Sequence, residues 1–178
     1  MRLRAARAGS PLVVGICGSQ GSGKSTVARV LADILRQAAG LRCAVLSLDD
    51  LCLSRETRLA LALEVHPLFK TRGVPGTHDV ALGVAAIRGL TSSHAGEMTR
   101  LPRFDKPRDQ PVPTDLEATV DGPVDVVIFE GWCVGAAPEA APALGVPLNA
   151  YQRHEDPDGR WRSHVNGALT GPYRMLSG

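Results

Sequence analysis

No apolar run in this sequence approaches the ~20 residues that a membrane-crossing helix needs, so neither a transmembrane span nor a membrane partner is expected. Behind the basic Arg2, Arg4 and Arg7 the apolar stretch is only six residues long and reads as a strand, which argues against a signal peptide. An excess of either charge is also lacking, with 20 Lys and Arg against 18 Asp and Glu. A formal net charge of +2 gives no basis for expecting nucleic acid or an anionic surface as partner. The four cysteines (Cys17, Cys43, Cys52, Cys133) form no C-x-x-C pair, and no histidines stand at zinc spacing. Disulfide-scaffold and zinc-finger classes drop out, and a reduced, cytoplasmic protein is expected, with Cys17 and Cys43 buried in strands as small hydrophobes. There is no internal repeat, and no N-K-x-D sequence of the kind that reads guanine, which weakens a regulatory GTPase reading.

What remains is an ordinary globular composition, 44% hydrophobic and 21% charged, on 178 residues, enough for one domain with a real core. A floppy basic tail is expected over residues 1–10 and a single domain over 11–178.

The most informative stretch is Gly18-Ser19-Gln20-Gly21-Ser22-Gly23-Lys24-Ser25, which fits G-x-x-x-x-G-K-[ST], the Walker A or P-loop pattern, at every position. Its flanks comply. Leu12–Cys17 (LVVGIC) is a short β-branched run suited to a buried strand. After Lys24, the residues Val27, Val30, Leu31, Ile34, Leu35 and Ala38 recur at helical spacing, with Gly40 placed to end the helix. Glycines let the backbone approach phosphates, successive N–H groups and the helix dipole offset their charge, and Lys24 reaches the outer phosphates. The eight residues and the adjoining Thr26 are therefore the expected nucleotide-binding set. Ser25 supplies a hydroxyl to Mg²⁺, and the nucleotide is expected to be ATP.

Cys43–Leu48 (CAVLSL) reads as a second buried strand ending at Asp49-Asp50, so strand, helix and strand make a right-handed βαβ unit in a parallel sheet. Ser54 caps a short helix marked by Leu59, Ala62 and Leu63 and stopped by Pro67. A Gly/Pro-rich loop follows to Thr77. A further helix over about 79–89 carries Val80, Val84 and Ile87 on one face, capped by Thr77 or Asp79. Residues 98–104 read as a short extended segment and 105–122 as irregular. Val124–Phe129 (VDVVIF) is the third strand and delivers Glu130. Residues 135–147 read as a loop, and 160–175 as a helix interrupted at Gly171-Pro172. The predicted class is α/β, a three-layer P-loop NTPase-type fold with a parallel sheet.

In such sheets the site lies beyond the carboxyl ends of the strands, where the P-loop, Asp49 and Glu130 converge. Phosphoryl transfer needs a metal on the outer phosphates, a cationic clamp and a carboxylate for the attacking hydroxyl. Lys24 is the expected clamp, Ser25 the inner metal ligand, Asp49 the base and Glu130 the acid holding the metal's waters. The two acids could exchange roles, so both stand as candidate catalytic and metal residues. A strand-end acid can also simply cap the following turn, a reading open above all for Asp50.

The P-loop followed by SLDDLCLSRE, HPLFKTRGVPGTHD, LPRFDK, VVIFEGWCVG and EDPDGRW resembles the bacterial and fungal P-loop glycerate kinase-like proteins. These sit in the wider group of phosphoribulokinase, uridine kinase and pantothenate kinase, and the likeness runs through nearly the whole chain from Pro11. The resemblance implies an ATP- and Mg²⁺-dependent kinase acting on a small-molecule hydroxyl, with D-glycerate giving 3-phosphoglycerate as the favoured case. Uridine, pantothenate or ribulose phosphate are the alternatives, and a nucleotide-binding module without catalysis is the competing class. It places the base at Asp49 and implies an acceptor pocket built from GVPGTHD and LPRFDK. A carboxylate-bearing acceptor calls for cations, and Arg72, Arg103, Lys106 and Arg108 are available, with His78 able to donate to a hydroxyl. Solvated surface charge is the plainer reading of each. His94, His154 and His164 are expected at the surface. Cys52 stands where these kinases commonly carry Tyr. The resembled kinases also continue with further strands, a basic lid and an adenine-contacting loop, and three strands fall short of the usual five or so, so a C-terminally truncated kinase is expected.

Overall fold

The computed structural model describes residues 11–176, and the basic tail expected over residues 1–10 lies outside them. The chain runs β1 (Leu12–Cys17), α1 (Lys24–Ala39), β2 (Cys43–Ser47), α2 (Arg55–Glu64), α3 (Val80–Ser92), β3 (Met98–Leu101), β4 (Phe104–Asp105), β5 (Gln110–Pro111), β6 (Ala118–Asp121), β7 (Val126–Gly131), α4 (Ala150–Glu155) and α5 (Arg160–Thr170). Short 3-10 turns at Leu48–Leu51, Pro67–Lys70 and Pro172–Leu176 link or follow them.

The organising sheet is parallel with the order β1-β7-β2. Of the sheet's three strands the last in sequence thus lies between the other two, because α1 carries the chain past one strand position before β2 begins. Every residue of β7 is buried, and its alternation serves two cores. Val126 and Ile128 pack with Ala28 and Ala32 of α1. Val127 joins Ala44, Leu90 and Leu101 on the other face, and Phe129 joins Leu46, Leu48, Val80 and Tyr173. A strand covered by helices on both sides is the usual condition of a parallel sheet. Full burial of Phe129 alone contributes roughly 2–3 kcal/mol.

Strand and helix ends follow local chemistry. α1 is closed at Gly40, whose N–H donates to the Arg36 carbonyl, and at the next residue, where Leu41 N–H donates to the Leu35 carbonyl. Ser54 accepts from Thr57 N to cap α2, and Asp79, of the two candidates for α3, accepts from Leu82 N.

Several expectations are corrected. The face of α1 is rotated: Ala28 and Ala32 are buried, while Val27, Val30 and Ile34 are 53%, 51% and 55% exposed. Small residues let the helix sit close over the sheet, and among the described residues β1 is its edge strand, which leaves the valine side uncovered. On α2, Leu59 and Leu63 face outward while Arg58 and Ala62 are buried, because Arg58 has an acidic partner inside. Cys17 is exposed and Cys43 half-buried, whereas Cys52 and Cys133 are buried. The segment read as extended holds β3 and the start of β4, while the stretch read as irregular, 105–122, holds their antiparallel partners, β6 pairing with β3 and β5 with β4. Strands of two to four residues give no period to read, and Pro111 is tolerated because its strand is an edge. His164 is half-buried and meets Phe69 edge-on with ring centroids 4.9 Å apart. No described helix is long and apolar enough to cross a membrane.

Candidate active site at the strand ends

β1 ends at Cys17 and the chain turns through Gly18–Gly23 into α1. Gly21 and Gly23 have φ of +76° and +84°, and a Cβ at either would meet nothing within 4 Å. The left-handed backbone demands glycine, and the space beside it is open for a ligand. The N-terminus of α1 carries no side-chain cap and no acidic residue in its first turn. A helix start left without its own anion suits a phosphate. Lys24 Nζ donates to the Ser19 carbonyl at 2.8 Å, folding back over the loop.

Glu130 on β7 is in register with Ile16 of β1 and Ser47 of β2, so it lies between the ends of the two outer strands, on the same face as Val126 and Ile128 that packs against α1. It is 4% exposed, and its Oε1 accepts the Ser25 hydroxyl at 2.8 Å. Hydroxyl and carboxylate oxygens are the hard ligands that Mg²⁺ takes, so these residues fit that ion.

Asp49 is the second residue of the 3-10 turn after β2, where its N–H donates to Ser47 Oγ at 3.3 Å. Its Oδ2 accepts from Lys106 Nζ at 2.8 Å. That hydrogen bond, against some burial, raises the lysine above its ordinary range. Asp50 turns the other way and holds the same hairpin by two atoms: Oδ2 on Arg103 at 2.9 Å and Oδ1 on Phe104 N–H at 3.1 Å. Burial raises the Asp50 carboxyl, opposed by those two partners. Asp50 therefore ties two segments together and does not cap its own turn.

Arg72 is held by Asp109 Oδ1 at 2.6 Å and lies 5.5 Å from the centre of the Phe104 ring. The other oxygen of Asp109 accepts from Arg58 at 2.5 Å, a guanidinium that also donates to the carbonyls of Leu53 and Lys70. Burial works against the Asp109 charge, yet hydrogen bonds from Arg58 and Arg72 outweigh it and hold the carboxyl below its usual range. Asp109 itself has φ of +56°, a conformation Asp tolerates better than most.

The GVPGTHD segment is stitched to the end of β2 by Leu53 N–H to Thr77 O at 2.9 Å, Asp79 N–H to Leu51 O at 2.7 Å and a bridge between Cys52 and His78. Trp132 Nε1 donates to Gly73 O at 2.5 Å, fixing the same loop to the end of β7. His78 is 5% exposed, and burial lowers its imidazole to about 4 despite the opposing Asp49 charge. Burial also pushes the Cys52 thiol up to about 11, so at neutral pH it is a small buried hydrophobe rather than a nucleophile.

The structure thus gathers the P-loop, Glu130 and Asp49 at one end of the sheet, and docks both expected pocket segments beside Asp49. Arg72, Arg103 and Lys106 are each paired with an aspartate. Arg108 is farther out, 3.6 Å from Asp105 with most of its side chain in solvent. Sequence reasoning missed Arg58, Asp109, Trp132 and Tyr173. Trp132 stands just past the end of β7 within VVIFEGWCVG, and its contact with Gly73 was the part not read; Arg58, Asp109 and Tyr173 stand at no strand end and in no quoted motif, and only folding brings them to the site.

Residues 1–55 match the family described as Methylmalonyl Co-A mutase-associated GTPase MeaB, a span that holds the P-loop and Asp49. The D-glycerate 3-kinase, chloroplastic, of Arabidopsis thaliana is 32% identical over 72% of this chain and 29% of its own length. The uncharacterized kinase mug58 of Schizosaccharomyces pombe is 33% identical over 95% of this chain and 60% of its own. A pantothenate kinase of Mesorhizobium japonicum is 30% identical over 68% and 36% respectively. Among solved structures, D-glycerate 3-kinase from Cryptococcus neoformans superposes with a TM-score of 0.65 at 29% identity, covering 98% of this chain and 62% of that one. This chain is therefore homologous to small-molecule P-loop kinases, and it spans between about a third and three-fifths of the length of the curated relatives it matches.

Proposed function

We propose, from that homology, that the chain carries the phosphate- and acceptor-binding parts of an ATP- and Mg²⁺-dependent kinase. It transfers a phosphoryl group to a hydroxyl of a small metabolite, D-glycerate to 3-phosphoglycerate being the favoured reaction. The observation that carries the reading is the division of labour between the two acids. Glu130 holds the Ser25 hydroxyl on the P-loop side, while Asp49 faces Lys106 on the pocket side.

Ser25 and Glu130 would hold Mg²⁺, which when bound neutralises charge on the outer phosphates. Lys24 leaves the Ser19 carbonyl and turns to the same phosphates. The N–H groups from Gly18 to Thr26 cradle the rest of the chain of phosphates. Asp49 takes the proton of the attacking hydroxyl, and Lys106 holds its carboxylate in place through their 2.8 Å hydrogen bond. Arg72, Arg103 and Lys106 present cations to an acceptor carboxylate, and His78 offers a hydrogen bond to an oxygen of the acceptor.

The test is coupled ADP release with D-glycerate, pantothenate, uridine and ribulose phosphate. D-glycerate is expected to stimulate turnover most. Nucleotide binding with no acceptor-stimulated release would overturn the kinase reading in favour of a binding module without transfer.

A further inference from the structure

Tyr173 lies in the 3-10 turn Pro172–Leu176, nearly one hundred positions from His78 in sequence, and is 5% exposed. Its hydroxyl meets His78 Nδ1 in a buried hydrogen bond, and the two rings sit edge-to-face with centroids 5.8 Å apart. Either group could be the donor in isolation. The surroundings decide it. The phenol oxygen already accepts the Gly76 N–H at 3.1 Å, and the backbone N–H of His78 also bears on it. Burial pushes the phenol above its ordinary range, so it keeps its proton. With its oxygen occupied by amide donors, its own O–H is the group left to serve Nδ1. Nδ1 is then the acceptor, and a neutral imidazole with an accepting Nδ1 carries its hydrogen on Nε2.

His78 Nε2 is buried and has no hydrogen-bond partner. Burial of the ring disfavours the imidazolium, which leaves a neutral N–H donor with nothing to donate to. A buried donor left without an acceptor is destabilising until a ligand supplies one. It stands in the segment bridged to Cys52, three positions past Asp49, and within reach of the Asp49 charge. We propose that Tyr173 is a positioning residue that holds His78 in the Nε2–H form, and that this N–H is a donor to an oxygen of the acceptor substrate. The proposal rests on the kinase reading and adds to it the tautomer and the residue that sets it. An acceptor with an oxygen at that position satisfies the orphaned donor; one presenting a methyl or an N–H there does not. The site thereby selects for oxygen-rich acceptors such as hydroxy acids.

The experiment is nitrogen-15 NMR on the wild-type chain with labelled histidine, followed through two-bond correlations from the ring protons. His78 is expected to show a protonated Nε2 and an unprotonated Nδ1 at neutral pH, before any nucleotide or acceptor is added. Tyr173→Phe keeps the ring and removes the hydroxyl, and is expected to give a mixture of tautomers. With ATP analogue present, D-glycerate is expected to move the His78 Nε2 resonance, and His78→Asn to raise the acceptor KM about 10-fold while kcat changes less. A protonated Nδ1 in the wild type overturns the proposal, as does a Tyr173→Phe tautomer identical to wild type. So does an Nε2 resonance that none of D-glycerate, pantothenate and uridine moves. The wild-type tautomer is read without turnover, so failure of the kinase reading is registered separately, by ADP release.

Discussion

The Ser25 hydroxyl donates to the Glu130 carboxylate across 2.8 Å, joining the first turn of α1 to the central strand of the sheet. Glu130→Gln preserves an oxygen for Ser25 and removes only the charge. If the pair holds Mg²⁺, the variant should need more Mg²⁺ for half-maximal turnover, with activity down about 10–100-fold and the fold intact. A Mg²⁺ titration of ADP release checks this. An unchanged Mg²⁺ dependence would remove Glu130 from the metal site.

Lys24→Ala removes the only side-chain cation of the P-loop and leaves its glycines untouched. Nucleotide affinity is expected to fall by 10-fold or more, since each 1.4 kcal/mol of lost phosphate contact is about a factor of ten. Calorimetric titration of ATP into wild type and variant measures it directly.

Asp109 bridges Arg58 and Arg72, whose side chains are 2% and 35% exposed. Asp109→Ala strands the buried Arg58 with only backbone carbonyls for company. The expected loss is about 3 kcal/mol, the lower end for breaking a buried pair, because Arg58 keeps those carbonyl contacts. Urea unfolding monitors the loss. The variant should also weaken acceptor binding, since Arg72 loses its anchor beside Phe104.

How far these relationships were legible from residues alone differs by kind. The eight P-loop positions, the three parallel strands and the strand-end acids are local, so pattern and spacing were enough to find them. The α1 face was misread because Val27, Val30 and Ile34 satisfy helical spacing as well as Ala28 and Ala32 do. Hydrophobicity cannot say which side meets the sheet when the close approach favours alanine. Arg58 on α2 was passed over because a charged residue in an amphipathic pattern reads as solvent-facing until its partner is known. That partner, Asp109, lies 51 positions away in a segment with no period. The His78–Tyr173 pair was hidden for the same reason: the contact is a property of the folded chain, and neither residue announces the other.

Stability should fall in mild acid partly through His78. Its folded value of about 4 lies below its ordinary 6.5. Between those values the unfolded chain binds a proton that the folded chain excludes. The contribution is therefore fully present above about pH 6.5 and is lost as pH falls towards 4, by up to about 3 kcal/mol. Asp49 is the charge that opposes the shift, and Tyr173 and Cys52 are the neutral groups against the ring. His78→Gln should flatten the difference between urea midpoints at pH 7 and pH 5 relative to wild type. Equal pH slopes in the two proteins would count against a buried, neutral His78.

Asp49→Asn separates transfer from binding. Among the described residues, the Asp49 carboxylate hydrogen-bonds Lys106 on the pocket side, at 2.8 Å, and no P-loop residue. Loss of its charge should leave ATP affinity within a few-fold of wild type. An amide cannot accept the hydroxyl proton, so acceptor-dependent turnover should drop by about 10²–10⁴. Lys106→Met is the informative companion: it frees Asp49 while leaving the carboxylate. If Lys106 serves mainly to bind an acceptor anion, this variant raises the acceptor KM with a smaller effect on kcat. If it serves mainly to hold Asp49 in position, kcat falls while the acceptor KM changes less, because the carboxylate has lost the hydrogen bond that orients it. An Asp49→Asn protein that still turns over within 10-fold of wild type would shift the base to Glu130. The Ser25–Glu130 contact would then need rereading as the arrangement of a base, with the metal held elsewhere.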